Sequence, residues 1–417
     1  MNAIGYACQL VGPPRVALRH CVLRGATPEK IAAAAAHNLA ALDRMIAYNA
    51  ARGIRLFRIS SDIIPLATHP DARFDWHGMF AEEMTGNGAR IAETGQRVSM
   101  HPGQYTVLNS PDDGVAERAN GDLAYHAAFL DALGVPGDGK IVLHVGGVYG
   151  DRKGALRRFR ERFSALPDSV RDRVVIENDE RSFAIDEVCD LAGELGVPAV
   201  MDVFHHRLLP PAKGDEMFWL RCSGETWKRR DGRQKIHYSE QLPGGKAGRH
   251  SRTIDAAAFA AFYRSVESLP LDVMLEVKDK NLSAVKCRNC VTESLPRARL
   301  TEAWAEYKYA VLEHSPAHYE RIRRFLKART PDPIGFYTLV DEALAGDVGV
   351  GHAVNAAQHV WGYFRKLADA AEKRRAERLL AGLGDAVVSA DAVKRFLLRL
   401  AHKYERGYLT QSLYFDI

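Results

Sequence analysis

Residues 140–177 read KIVLHVGGVYGDRKGALRRFRERFSALPDSVRDRVVIE. Two short β-branched runs, Ile141-Val142-Leu143 and Val174-Val175-Ile176, flank a longer stretch rich in Arg, Leu, Ala and Glu. Short apolar runs bounded by turn residues read as buried strands, and the stretch between them reads as helix. Strand, helix and strand in succession imply a parallel pair. Each run also stops on a chemically active side chain, His144 after the first and Glu177 after the second.

The alternation extends outward on both sides. Candidate strands fall at 3–8, 54–59, 97–101, 140–145, 173–177, 198–203, 234–238 and 271–277. Helical stretches such as 29–51 and 186–195 separate most of them; Pro28 opens the first, and Gly196 and Pro198 close the second. Eight such units in about 280 residues fit an α/β fold of the TIM (β/α)8 barrel type. The alternative, a doubly wound open sheet, carries a Gly-rich phosphate turn after its first strand. Here Cys8 is followed by Gln9-Leu10-Val11-Gly12-Pro13-Pro14, which is no such turn. Residues 215–249, rich in charge, Gly and Trp, read as long loops flanking the seventh strand. From about residue 300 no strand pattern survives, and 302–313, 316–329, 351–371, 372–383 and 390–404 read as amphipathic helices. The expected organisation is a barrel domain over 1–290 and an all-α C-terminal domain over 300–417.

With 47% hydrophobic and 26% charged residues, the 417-residue chain is neither disordered, collagenous nor coiled coil. A net charge of +5 permits a polyanionic partner without demanding one. Six scattered Cys favour a reducing compartment. No basic-then-apolar leader opens the sequence, and no apolar run is long enough for a bilayer, so a soluble, cytoplasmic protein without membrane contact is expected. Cys287 and Cys290 form half a zinc motif with no second pair. They read as two reduced surface thiols, a metal or redox role being the alternative.

The chemistry sits where the strands stop. His101, His144, Glu177, Asp202, His237 and Glu276 each close an apolar run; His205 and His206 follow Asp202, and His250 lies in the loop after the seventh strand. In a barrel all such ends converge on one face, where active sites are built. One strand-end His is most often a hydrogen-bonded structural residue. Ligand-type residues at six of eight ends point instead to a metal cluster. Imidazole and carboxylate donors suit Mn2+, Zn2+ and similar ions, and two or three close ions suit the clamping of a phosphodiester. The lack of thiolates argues against a purely structural zinc.

Several of these passages are long and unusual: Ile4-Gly5-Tyr6, Phe57-Arg58-Ile59-Ser60-Ser61-Asp62, His101-Pro102-Gly103-Gln104-Tyr105, His144-Val145-Gly146-Gly147, Glu177-Asn178-Asp179, Met201-Asp202-Val203-Phe204-His205-His206, Lys235-Ile236-His237-Tyr238-Ser239 and Gly248-Arg249-His250-Ser251. Through them, most of residues 1–285 resembles the UV damage endonuclease family. The resemblance implies a TIM barrel with up to three divalent ions, usually manganese, with zinc or magnesium as alternatives. It implies hydrolysis of double-stranded DNA immediately 5′ to UV photoproducts and related lesions by metal-activated water, leaving a 3′-hydroxyl and a 5′-phosphate. Carried over by position, His101, His144 and Glu177 hold one ion. Glu177 bridges to a second, shared with Asp202, His237 and Glu276, and His205 and His250 hold the third. This partition also draws on similarity to the metal-dependent apurinic endonucleases. Lys235 matches a family lysine that can carry a carboxylated amine; its ordinary reading is a solvated or phosphate-pairing strand lysine. Gln104 and Tyr105 match the probe that enters the duplex at the lesion, although a loop Tyr packed on its own barrel is the plainer reading. Tyr6 and His69 match positions near the lesion pocket and the scissile phosphate, and His69 can equally be a plain loop residue before Pro70.

The basic loop Trp227-Lys228-Arg229-Arg230-Asp231-Gly232-Arg233 falls between the sixth strand and the His237 strand, on the rim side, where its composition suits phosphate contact; plain solvated surface is the alternative. In the tail, Glu306-Tyr307-Lys308-Tyr309 and residues 354–364 resemble a small helical domain that also occurs fused to desulfidases acting on thiolated pyrimidines. That implies nucleic-acid binding; a dimer interface or a barrel cap are the alternatives, and a monomer is expected. Two other enzyme readings stand beside the endonuclease: a sugar isomerase or epimerase of the same barrel class, and a nuclease redirected by its tail to another nucleic acid such as RNA. A nucleic-acid-binding barrel without activity is a further reading, against which the complete ligand set argues.

Overall fold

The computed structural model describes residues 2–72 and 74–417. Its eight strands are β1 (Ile4–Ala7), β2 (Leu56–Ile59), β3 (Arg97–Met100), β4 (Lys140–His144), β5 (Val174–Glu177), β6 (Ala199–Val200), β7 (Gln234–Tyr238) and β8 (Leu271–Leu275). All pair in parallel, in the order β6-β5-β4-β3-β2-β1-β8-β7. The order runs once round a circle. Its seam, between β6 and β7, is spanned by a parallel bridge from Asp202 to His237 and by the His237 N–H donating to the Met201 carbonyl at 3.0 Å. This is the expected TIM-type barrel, nearly closed.

Local sequence explains each element. The helix Pro28–Arg52 starts on a Thr27 cap with proline in its first turn and ends on Gly53, whose φ of 67° suits glycine. The sixth strand, expected over 198–203, shortens to two residues because Asp202 turns out to cap the helix Val203–Leu208, accepting the His205 N–H at 2.8 Å.

The chain divides into two compact units. One holds β1, Val16–Ile254 and Ser265–Val285; the other holds Leu10–Arg15, Asp255–Arg264 and Lys286–Ile417. The second is helical. Its helices Val350–Trp361, Ala370–Gly384 and Ala390–Lys403 share a core that includes Ala356, Val360, Phe364, Phe396 and Leu400. Helix limits differ from expectation in several places, the helix expected over 302–313 beginning at Arg297. The helix from Pro316 stops at Phe325, the one through 351 stops at Trp361, and Pro333–Leu344, with an Asp332 cap and proline in its first turn, was not anticipated. Cys287 is buried in the helix Asn281–Val291, which corrects the expectation of two surface thiols. Among the described residues, no helix is long and apolar enough to cross a membrane.

A larger correction concerns residues 227–233. The helix Glu216–Glu225, capped by Asp215, occupies part of the stretch read as loop. Residues 227–233 therefore form the leg that returns from helix to β7, at the amino ends of the strands. Trp227, Lys228, Arg229 and Arg230 thus lie opposite the face where active sites are built, not on its rim. They belong to the barrel floor. Trp227 packs under Val142, Val175 and Val200 and donates its indole N–H to the Ala199 carbonyl at 2.8 Å. Arg97, at the start of β3, lies 5.4 Å from the Trp227 ring and donates to the Asp231 and Arg233 carbonyls. Lys140, buried at the start of β4, pairs with Asp231 at 2.6 Å.

A buried ammonium stripped of its counter-ion is costly. Asp231→Ala is expected to destabilise the barrel by about 3–5 kcal/mol in urea unfolding. Adding Lys140→Met should recover part of that loss, because the stranded charge is then gone. A single variant as stable as the wild type would show that this pair does not hold the floor.

Candidate metal centre

Each strand from β3 to β8 sends one side chain to the carboxyl face. Glu177, at the end of β5, is fully buried at the centre. Its Oε2 lies 3.0 Å from His101 Nε2 and 3.4 Å from His144 Nε2; its Oε1 lies 2.6 Å from His237 Nδ1. The same His237 nitrogen is 3.2 Å from Glu276 Oε1. Asp202 Oδ2 is 3.8 Å from His205 Nδ1, and His250 Nδ1 is 3.9 Å from Glu276 Oε2. Three triads place a donor atom from each member within 4.8 Å of the others: His101, His144 and Glu177; Glu177, His237 and Glu276; and Glu177, Asp202 and His205. Glu177 is common to all three. The expected ligands are therefore brought together, with His250 at the margin, its ring 6.3 Å from that of His205.

The donor set fits divalent ions. Asp202 Oδ2, His144 Nδ1 and His237 Nε2 are buried without a hydrogen-bond partner, although buried polar atoms in folded proteins nearly always have one. Carboxylate and imidazole donors without thiolate suit manganese, zinc or magnesium. The rings are also aimed. With Nδ1 protonated, His101 donates to the Pro102 carbonyl at 3.1 Å and His205 to the Asn178 carbonyl at 3.0 Å, which leaves each Nε2 lone pair free for an ion. Asn178 fastens the neighbouring strand end as well, exchanging two hydrogen bonds with the Asp202 backbone at 3.1 and 2.8 Å.

Charge balance sets the protonation of the cluster. Burial alone would raise the Glu177 carboxyl, but His237, His144 and His101 outweigh it and hold Glu177 well below the usual carboxylate range. For Asp202 burial wins, and its pKa is raised. Burial would lower His237, yet Glu177 and Glu276 push it up to about 9. His205 likewise resists burial and is pushed up to about 9 by Asp202, Glu177 and Glu276. Burial takes His101 down to about 4. Lys235, two residues before His237 and so on the same side of β7, is buried too. Burial, then the nearby Arg97 and Arg58, hold its ammonium well below the ordinary lysine range.

Other expected residues fall on both sides of the barrel wall. Gln104 and Tyr105 are exposed beyond β3, Tyr105 at 67%. His69 shares a cleft of about 580 Å3 with Tyr105, Asp62, Asp122 and Tyr125, its Nδ1 accepting the Asp71 N–H at 3.2 Å. Tyr6 does not reach this face. It is wholly buried, donates its hydroxyl to Asn49 at 2.8 Å and lies 5.1 Å from the Phe57 ring, so it packs behind the barrel wall. Its register explains this: Tyr6 pairs with Phe57, and it is the next residue, Arg58, that turns inward. Arg58 was missed as a site residue. Its guanidinium bonds Glu276, and the signal that could have found it is a charged residue set among the apolar residues of a short strand, Leu56-Phe57-Arg58-Ile59. Asn178 and Glu180, the latter 3.8 Å from His205 Nε2, were missed as well; only their closeness to Glu177 in sequence pointed to them.

The description UV-endonuclease UvdE matches residues 20–296, and that of a protein of unknown function, DUF1722, matches residues 308–417. A UV DNA damage endonuclease of Clostridium perfringens is 36% identical over 400 residues, covering 91% of this chain and 95% of that protein. A UV DNA damage endonuclease of Bacillus velezensis is 33% identical over 251 residues, covering 60% of this chain and 78% of that protein. The crystal structure of SacUVDE superposes with a TM-score of 0.65 at 35% identity, covering 69% of this chain and 96% of that one. A family match across more than half the chain and a relative alike over nearly its whole length agree: this chain belongs to the UV-endonuclease UvdE family and carries a C-terminal DUF1722 domain.

Proposed function

We propose that this chain hydrolyses the phosphodiester immediately 5′ to UV photoproducts and related lesions in double-stranded DNA, leaving a 3′-hydroxyl and a 5′-phosphate. The observation that carries the reading is the Glu177-centred cluster of His and carboxylate donors on the open face of a barrel. The relatives named UV DNA damage endonuclease support it.

Glu177 joins the three triads, so it is the residue that would bridge ions held by His101 and His144, by His237 and Glu276, and by Asp202 and His205. His250 would complete the set from the rim. Bound divalent ions supply Lewis-acid neutralisation of phosphoryl oxygens and acidify a water to act as nucleophile. The chain's own residues do the rest. Arg58 holds Glu276, and Asn178 holds Asp202 and orients His205. Lys235, kept towards its neutral amine, is suited to carboxylation beside the cluster or to a proton-accepting role there. His69 supports a role at the phosphate through its place in the cleft shared with Tyr105. Gln104 and Tyr105 stand out from the rim where an amide and a ring could fill the gap left by extruded bases, and damaged bases cost less to unstack. A sugar isomerase would need the ligands but not this protruding pair. In the helical unit, Lys308 lies 4.5 and 4.7 Å from the Tyr309 and Tyr408 rings, and the Tyr363 and Tyr408 rings stack 6.3 Å apart. Tyr309 is buried, and it is Lys308 with the exposed Tyr363 and Tyr408 rings that supports nucleic-acid binding by the tail.

The test is strand cleavage. With manganese, an end-labelled duplex bearing one pyrimidine photoproduct should be nicked just 5′ of the lesion, an undamaged duplex should stay intact, and Glu177→Gln should fall to background. Silence with manganese, magnesium and zinc alike would overturn the reading. Metal loading should also release protons. His205 and His237 hold theirs up to about pH 9, so an ion entering near pH 7 must displace them, and apparent metal affinity should climb from pH 6 towards 9. Calorimetry in buffers of different ionisation enthalpy measures this directly. Metal binding without proton release at pH 7 would contradict the charge balance described above.

A further inference from the structure

Among the described residues the barrel unit exposes six large apolar side chains: Val22, Leu23, Met79, Tyr105, Tyr149 and Phe218. Four of them, Val22, Leu23, Tyr105 and Tyr149, lie on segments that run from the carboxyl end of a strand towards the following helix, whereas Met79 ends the short helix Trp76–Met79 and Phe218 sits in the first turn of the helix Glu216–Glu225.

Two of the six are built alike. Tyr105 and Tyr149 each follow a glycine by two positions, in Gly103-Gln104-Tyr105 after β3 and Gly147-Val148-Tyr149 after β4. A Cβ on Gly103 would stand 2.5 Å from the Tyr105 ring, and one on Gly147 would stand 3.1 Å from the Tyr149 ring. Each ring therefore rests against its own glycine backbone while much of it stays open to solvent, 48% of the residue in the case of Tyr149. The Tyr149 ring is further supported by Arg158, whose guanidinium lies 5.9 Å from it and is itself anchored to the Asn109 carbonyl at 2.9 Å. Asn109 also ties the two loops together, donating to the Gly147 carbonyl at 2.9 Å. Tyr149 has a φ of +53°, a left-handed conformation that is costly for a bulky residue. Its display on the rim is thus imposed by the backbone and is not the result of a loose loop.

We propose that Tyr149 is a second stacking residue of the active face, taking a nucleobase that the lesion has loosened from the duplex, beside the probe formed by Gln104 and Tyr105. The proposal rests on the endonuclease reading above. A ring backed on one side and open on the other is a pre-organised platform, and stacking tolerates any base because every base has a π-face. The nearby cation Arg158 strengthens such a surface. Nothing in the metal cluster requires Tyr149, so its contribution should appear in binding and base environment before it appears in chemistry.

The experiment places 2-aminopurine at successive positions around one photoproduct and records its fluorescence on binding, with affinity measured on the same duplex before cleavage. Wild-type protein should quench the probe at a position that Tyr149→Ala no longer quenches, with a Kd for the lesion duplex raised about ten-fold or more. Tyr149→Phe should keep the quench. Tyr149→Gly relieves the left-handed backbone and folds without strain, so a loss of quenching there comes from the missing ring. If the Gly variant quenches and binds like the wild type, while the wild type recognises and nicks the lesion, the Tyr149 proposal is overturned and the endonuclease reading stands. A wild-type protein that neither binds nor nicks lesion duplex overturns both.

Discussion

A carboxylate taken wholly out of water must be met by positive charge or ions on every side, and Glu177 sets that condition for the molecule. It ends β5, faces imidazoles from β3, β4 and β7, and belongs to each of the three possible ion-binding triads. Two more carboxylates, Asp202 and Glu276, share the cluster, while Arg58 is the guanidinium set against Glu276. The excess of negative charge explains why protons cling to His205 and His237. It also explains why the arrangement is suited to divalent cations and poorly suited to stability alone. A core of similar volume without charges would be at least as stable, so the cluster is best understood as chemistry that the barrel is built to hold.

The seam of the barrel and the site are the same place. β6 has only two residues because Asp202 leaves the strand to cap the next helix, and β7 joins β6 through the bridge between Asp202 and His237. Two members of the cluster therefore also close the sheet, and Asn178 locks the adjoining strand end by two hydrogen bonds to the Asp202 backbone. The weak seam is offset at the other end of the strands. There the Arg97 guanidinium, the Trp227 ring and the Lys140–Asp231 pair seal the floor with charges and hydrogen bonds that take no part in the cluster. One end of the barrel is organised for reaction and the other for cohesion.

Much of this was legible from the chain itself. Apolar runs of four or five residues that stop on His, Asp or Glu identify both the strands and the face they serve, and the eight expected metal-binding side chains all reach that face. The failures have definite causes. Tyr6 was assigned to the face by position in a motif, but side chains alternate along a strand, and its register with Phe57 turns it outward. The basic loop was placed on the rim because the helix Glu216–Glu225 was read as loop, and missing one helix reverses which end of the barrel the following residues occupy. Arg58 is not legible as a ligand, because a cation that steadies a carboxylate carries the opposite charge. The helix Pro333–Leu344 was passed over even though Asp332 and Pro333 together mark a helix start.

The placement of function on rigid and irregular parts of the chain follows a division of labour. The candidate ion donors sit at or just beyond strand ends, where the sheet brings them within 4.8 Å of one another in each triad. The proposed recognition residues sit further out, on turns that leave the same strands. Gly103 and Gly147 connect the two layers: each lies two residues before an exposed tyrosine and only two or three after the histidine that ends the strand. A side chain at Gly103 would force the Tyr105 ring to shift, and one at Gly147 would crowd the Tyr149 ring more mildly, so each turn is fitted to the tyrosine that follows it. Substitutions in the outer layer can then alter how a duplex is held without disturbing Glu177. Substitutions at Glu177 remove the common member of all three triads, which no rearrangement of the rim can replace.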